Sequence, residues 1–327
     1  MKLEQACFRI SCGVLLFAVF LRLFGGGIAA DWRKLSQDPS IVSLLLYAGT
    51  GKVFSFSQAT EPDSPPEEPE LTEESAQTEP APPLFTPEDA ALICVKNQPG
   101  YAFDVPAMLL TPLSWDLTDT QPTVLILHSH TCESYENTEN YTPSDPYRTH
   151  DSRYNMISIG SHLAACLEER GISVIHDTTV YDYPSYNDAY TLSRQAVKQY
   201  LKDYPSIRLV LDIHRDAYVD SAGNQASNAI TIDGESSSRL MLIAGTGPSH
   251  TTWEDNLSLA VKLQAVLEKE HPGLCRDVTL RTYYFNQDLS PGMLLVEVGT
   301  AGDTRQEALR AAELLADAVA TLAPGTQ

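Results

Sequence analysis

Between residues 124 and 322 short unbroken apolar runs alternate with segments of helical period, and this alternation restricts the fold more than any other feature of the chain. Val124–His128 follows Gln121-Pro122-Thr123 and reads as a buried strand, as do Ile172–Ile175, Ile207–Ile213, Arg239–Ala244 and Met293–Val298. Asn155–Arg170 places Met156, Ile159, Leu163, Cys166 and Leu167 on one helical face, with Gly171 as its stop. Further helices are expected over Ala189–Leu201, near Leu257–Glu270 and over Thr304–Leu322. Strands that alternate with helices form βαβ units. The expectation is an α/β domain over 91–327, built on a mostly parallel sheet flanked by helices on both faces. No internal repeat interrupts it.

The residues before 91 have a different composition. Lys2 and Arg9 precede an apolar run from Ile10 to Leu21, then Arg22 and a second run to Ala30, which reads as a signal anchor over 1–30. Arg22 stands near one end, where a long cation can reach the interface. Residues 31–58 carry an apolar patch (Ile41, Val42, Leu44, Leu45, Leu46) suited to a juxtamembrane helix. Residues 59–90 form an acidic, proline-rich linker: positions 61–90 hold ten acidic side chains, eight prolines and no Lys or Arg. Such a tract cannot bury enough apolar surface to fold and repels itself into an extended form. The net charge of −21 argues against a nucleic-acid partner, since that affinity comes from neutralised phosphates. The six cysteines show no C-x-x-C pair and no disulfide framework.

Sites in parallel α/β sheets form beyond the carboxyl ends of the strands. Three strands here end in chemically capable residues. The first leads into His128, His130 and Glu133, another carries Asp212, His214, Arg215 and Asp216, and the last carries Glu297. Strand alternation places His128 and His130 on one face, and Asp212 with His214. A hydrolytic zinc site needs about three His or carboxylate ligands, one open position, and a separate carboxylate as base. His130 and His214 supply two imidazoles, Asp151 or Glu133 the third bond, and Glu297 the base. The chain has no G-x-S-x-G and no H-E-x-x-H, and Gly49-Thr50-Gly51-Lys52 falls short of a phosphate loop. Cys132 beside the histidines is a competing thiol nucleophile, and the tyrosines of 181–186 line a substrate groove or simply pack a loop.

At these residues the sequence resembles the stage II sporulation protein P family, peptidoglycan hydrolases of the wider class of zinc-dependent N-acetylmuramoyl-L-alanine amidases. The resemblance covers nearly all of 91–327 and is carried by H-S-H-T-C-E-S-Y (His128–Tyr135), H-D-T-T-V-Y-D-Y-P-S-Y-N (His176–Asn187), V-L-D-I-H-R-D-A (Val210–Ala217) and N-Q-D-L-S-P-G-M-L-L-V-E-V-G (Asn286–Gly299). It implies an amidase-like fold behind a membrane helix and a variable linker, with Zn2+ as cofactor. It aligns His130 and His214 with zinc histidines and Glu297 with the catalytic glutamate. Asp151 stands four residues before Asn155, where the class has a ligating glutamate; Glu133 and His150 are the other candidates for that bond. By the same resemblance, His128, Glu133 and Arg215 are expected to contact substrate.

The implied reaction is hydrolysis of the amide joining muramic acid to L-alanine, and of stem-peptide cross-links, during engulfment in sporulation. The implied partners are peptidoglycan, stage II sporulation protein D and a membrane-embedded engulfment complex. The implied location is the cell membrane, with the catalytic domain outside the cytoplasm, between mother cell and forespore. The competing reading is a wall-binding scaffold without catalysis.

Overall fold

A computed structural model describes residues 83–136, 141 and 147–326. The expected anchor (1–30), the juxtamembrane segment (31–58) and most of the linker (59–90) lie outside the described residues. Among the described residues, no helix is long and apolar enough to cross a membrane. Among the described residues, Phe85 is the first to be buried in the main core, and a 3-10 helix follows at Pro87–Leu92 whose Asp89 pairs with Lys269 at 3.1 Å.

In chain order there follow β1 (Val95–Asn97), α1 (Val105–Leu110), β2 (Val124–Leu127), α2 (Met156–Glu169), β3 (Val174–His176), α3 (Ala189–Asp203) and β4 (Leu209–Asp216). After a small hairpin, β5 (Ile230–Ile232) and β6 (Glu235–Ser237), come β7 (Leu240–Gly245), α4 (Trp253–Glu270), β8 (Val278–Arg281), β9 (Met293–Thr300) and α5 (Arg305–Leu322). The seven-stranded sheet has the order β1-β8-β7-β9-β4-β2-β3. Its strands form two parallel sets, β3-β2-β4-β9 and β1-β8-β7, joined antiparallel where β7 meets β9. The sheet is therefore mostly parallel, as expected, and the antiparallel seam is the feature that alternation of elements did not predict.

Local chemistry sets the helix ends. Asn155 caps α2 by accepting from the Ile157 amide at 3.0 Å, and Gly171, at φ 78°, turns the chain into β3. Thr304 and Glu307 form a capping box on α5, and Glu307 also accepts from Ser236, tying the hairpin to that helix.

The long strands sort their side chains by parity. Leu209, Leu211 and Ile213 of β4, Leu294, Val296 and Val298 of β9, and Leu240, Leu242 and Ala244 of β7 pack with α2, α4 and α5 in the main core. On the opposite face, Val210 and Met293 join Leu125, Leu127 and Val197 of α3 in a smaller cluster. Next to it, Met241, Ile243 and Leu295 pack under Phe285. Helices thus cover both faces, unevenly. Among the described residues, α3 is the α-helix packed on the second face, against side chains of β2 and β4, and the polar positions of β4 and β9 open beside it.

Candidate metal centre

His214 and Glu297 are opposite one another in the β4–β9 register, and Met241 of β7 is opposite Glu297 in turn. Paired residues project to the same side, so these three share the face that α3 only partly covers. The turn after β2 brings in His130 and Glu133. It is pinned on three sides: Tyr135 donates to the Val298 carbonyl at 2.7 Å, Arg215 Nε donates to the Ser134 carbonyl at 3.0 Å, and the Cys132 amide donates to Asp182. Glu133 then reaches both imidazoles, with Oε1 3.5 Å from His130 Nδ1 and Oε2 3.3 Å from His214 Nδ1. One donor atom from each of His130, Glu133 and His214 falls within 4.8 Å of the others.

A buried carboxylate stands behind His214. Asp212 Oδ1 lies 2.9 Å from His214 Nε2, although the ring N–H is not aligned to form a hydrogen bond. Asp212 is held in turn by the Ser129 amide at 2.8 Å and the Ser129 hydroxyl at 2.6 Å. A carboxylate behind an imidazole orients the ring and raises its basicity, an arrangement typical of metal sites. Aromatic rings close the approach: Tyr186 stacks on His130 with centroids 4.4 Å apart, and Tyr190 packs edge-on to His130 and parallel to His214.

The electrostatics follow from this burial. Burial opposes charge on His214, but Asp212 and Glu133 outweigh it and hold the imidazole well above its usual range. Burial would raise Glu133, yet Arg215, His130 and His214 keep it well below the carboxylate range. Burial raises Glu297 to about 8, against the pull of His214 and with Glu133 and Asp216 adding to the rise. Its Oε2 has no hydrogen-bond partner. Two imidazoles and a carboxylate around one point, with a further buried carboxylate behind and another beside, form a donor set with excess negative charge. That set fits a divalent cation of the zinc type.

The other expected site residues are placed elsewhere. Asp151 does not join His130 and His214. Arg153 grips its carboxylate with contacts of 2.6–3.2 Å and holds it at about 2, and the residue serves the turn before α2. His150 is exposed and contacts Cys132 Sγ at 3.3 Å. His128 is not on the His130 face. Val124 and Ile126 pack with α2 in the main core and Leu125 and Leu127 on the opposite face, so alternation carries His128 to the α2 side. It is His130, in the turn beyond the end of β2, that leaves the period and crosses to the His214 face. Its Nδ1 meets the Ile213 carbonyl at 2.9 Å and its Nε2 meets His176 Nε2 at 2.9 Å. Arg215 is engaged inward, with the carbonyls of Ser134 and Tyr147 and with Glu133. Tyr190 was missed as a neighbour of the site. Its one sequence signal was a tyrosine on the first turn of α3, just after the 181–186 run.

Comparison with known proteins adds the relationship. The family model of stage II sporulation protein P matches residues 50–320. Stage II sporulation protein P of Bacillus subtilis (strain 168) is 29% identical over 216 residues, which cover 61% of this chain and 51% of the relative. The chain thus spans about half the length of the curated relative it matches. Among solved structures, the chain is similar to N-acetylmuramoyl-L-alanine amidase from Clostridium difficile 630 at 17% identity, covering 62% of this chain and 97% of that one with a TM-score of 0.37. It is also similar to Ami1, the N-acetylmuramyl-L-alanine amidase from Mycobacterium smegmatis, at 10% identity, with coverage of 63% and 98% and a TM-score of 0.40. The relationship rests on the sequence match. Because that match takes in the whole sheet from β1 to β9 and every residue of the His130–Glu133–His214–Glu297 group, the chain belongs to the stage II sporulation protein P family.

Proposed function

We propose that this chain is a membrane-tethered, zinc-dependent peptidoglycan hydrolase of sporulation that cleaves the amide between N-acetylmuramic acid and L-alanine. The observation that carries the reading is the convergence of His130, Glu133 and His214 beside the proton-holding Glu297. In this reading His130, Glu133 and His214 hold the metal, with Glu133 taking the bond that Asp151 does not reach. Zinc bound there supplies polarisation of the scissile carbonyl and acidification of water.

The remaining work belongs to the protein. Asp212 keeps the His214 ring oriented, and Ser129 keeps Asp212 in place. Glu297 takes a proton from the attacking water and delivers it to the departing amine nitrogen. Without a cation, burial and the neighbouring carboxylates keep Glu297 protonated; positive charge held by His130, Glu133 and His214 would lower it to the carboxylate that can take the proton. Tyr186 and Tyr190 narrow the approach and exclude water around the imidazoles.

The family relationship supports peptidoglycan as substrate and engulfment as the setting, with stage II sporulation protein D and a membrane-embedded complex as partners. The apolar residues 1–30 serve as the anchor, 31–58 as a juxtamembrane segment and 59–90 as a spacer, so that a catalytic domain over 91–327 works outside the cytoplasm and away from the bilayer.

The test incubates the full chain in detergent with purified sacculi and reads released fragments by mass spectrometry. Stem peptides beginning with L-alanine, lost on chelation, restored by zinc and lost in Glu297→Gln, are expected. Uncrosslinked muropeptides with the sugar–peptide bond intact would move the activity to the cross-link. No release, with binding retained, would favour a wall-binding scaffold.

A further inference from the structure

The face that carries His214 and Glu297 does not end at β9. It continues across the antiparallel seam through Met241 and Thr279, which form the floor of a groove of about 370 Å³ walled by Lys96, Arg239, Arg276 and Arg281. A second hollow of about 280 Å³ shares Arg239 and Arg276 and extends the groove toward Tyr218. In a chain of net charge −21, a cluster of four cations is conspicuous. Among the described residues, Arg276 pairs with Asp216 at 2.6 Å, whereas Lys96, Arg239 and Arg281 have no carboxylate within ion-pair distance. The Nε atoms of Arg239 and Arg281 are also without hydrogen-bond partners. Asp277 is the acidic residue of the lining, and it is engaged with the Cys94 thiol. Cations left uncompensated along a groove form an anion site waiting for its ligand.

The groove is also at the right distance from the chemistry. Adjacent strands are about 4.8 Å apart, so the floor at Met241 and Thr279 lies roughly 5–10 Å from the Glu297 strand. An extended peptide advances about 3.3 Å per residue. A peptide whose first amide sits at Glu297 would carry its second and third residues into the groove. We propose that this groove binds the carboxylates of the peptidoglycan stem peptide, with Arg239 and Arg281 as the principal contacts, and so sets the direction in which the peptide leaves the scissile bond. The proposal rests on the hydrolase reading for the placement of that bond.

The test measures binding and turnover separately, using the full chain and sacculi stripped of phosphate-rich wall polymers. One batch keeps its stem carboxylates and a second has them converted to amides. Co-sedimentation is measured in a Glu297→Gln background, so that no substrate is consumed. Arg239→Gln/Arg281→Gln is expected to weaken binding to native sacculi about tenfold and to leave binding to amidated sacculi unchanged. Arg239→Lys/Arg281→Lys should restore most of the loss, which separates charge from misfolding. In the active chain the same Gln pair should raise KM more than it lowers kcat. Equal loss on both batches, no loss at all, or dependence on the wall polymers would overturn the groove assignment. If the wild type releases no fragments while the carboxylate-dependent difference persists, the hydrolase reading fails and the groove stands. If fragments are released and binding ignores amidation, the groove fails alone.

Discussion

Two pairs of histidines gather at the same end of the sheet, and their surroundings make them chemically opposite. His128 and His176 face α2, where among the described residues no carboxylate comes within ion-pair distance of either ring. Burial pushes them down to about 3 and about 4. They form a neutral chain: His128 Nδ1 donates to the Ile213 carbonyl, His176 Nε2 donates to His128 Nε2, and the Ser161 hydroxyl lies 3.4 Å from His176 Nδ1. Their lone pairs are consumed within the protein. His130 and His214 face the other side, where Glu133 lies between them and Asp212 stands behind His214. The comparison teaches that an imidazole becomes a ligand through the carboxylates around it, and that a count of histidines near strand ends does not reveal which pair has them.

The sharpest way to break this comparison is to remove the carboxylates. Glu297→Gln should lower amide hydrolysis by about 10²–10⁴-fold while bound zinc, measured by mass spectrometry of the metal, stays near that of the wild type. Glu133→Ala should lose both zinc and activity, whereas Asp151→Ala should keep the metal. A chain in which Asp151→Ala loses zinc and Glu133→Ala retains it would reverse the assignment of the third ligand. The two histidine pairs should part in the same assay: His214→Ala loses zinc, and His128→Ala keeps it but costs about 2 kcal/mol in chemical denaturation, because His176 loses its buried partner.

Gly160 of α2 sharpens the contrast, since a Cβ there would overlap both His128 and His176. Gly160→Ala should cost about 1–3 kcal/mol by overpacking, without altering zinc stoichiometry.

Acid supplies the next test. The folded pKa values of the His128–His176 pair lie below the unfolded value of 6.5, so between these limits the unfolded chain binds more protons than the native one. The pair's contribution is complete above about pH 6.5 and is lost as pH falls through about 4 and 3, with a slope of up to about 1.4 kcal/mol per pH unit for each group. Denaturation midpoints of zinc-free protein at pH 7 and pH 5 should show this fall, and His176→Gln should reduce it. The smallest effect belongs to the cap of the helix that backs the pair: Asn155→Ala should cost about 1 kcal/mol and leave the metal centre untouched.

Much of the scaffold was legible in the sequence because the large elements carry strong periodic signals. Met156–Glu169, Trp253–Glu270 and Arg305–Leu322 were found to within a few residues, as were the central strands β4, β7 and β9. Strands β1 and β8 went unread, being three and four residues long with polar positions among them. His130, His214 and Glu297 were legible because apolar runs that end in His or Glu point to strand termini. His128 and His130 were not on one face because the period of two was carried past the end of β2 to His130: His128 keeps the parity of Val124 and Ile126 and faces α2, whereas His130 lies in a turn where the period no longer applies.

Period and composition along the chain are enough to show that strands alternate with helices, that polar chemistry collects at strand ends, and that an acidic tract precedes the α/β unit. These are local properties, set by side-chain period and composition. Tertiary structure decided the rest. It joined two parallel sets of strands at an antiparallel seam and carried the face of His214 and Glu297 on into a basic groove. It also brought Glu133 rather than Asp151 beside His130 and His214, because Arg215 and Tyr135 fix the turn that aims Glu133 inward while Arg153, two residues away, captures Asp151 first. The physical reason is that a carboxylate's role depends on which charge reaches it first in space, and spacing along the chain does not encode that distance.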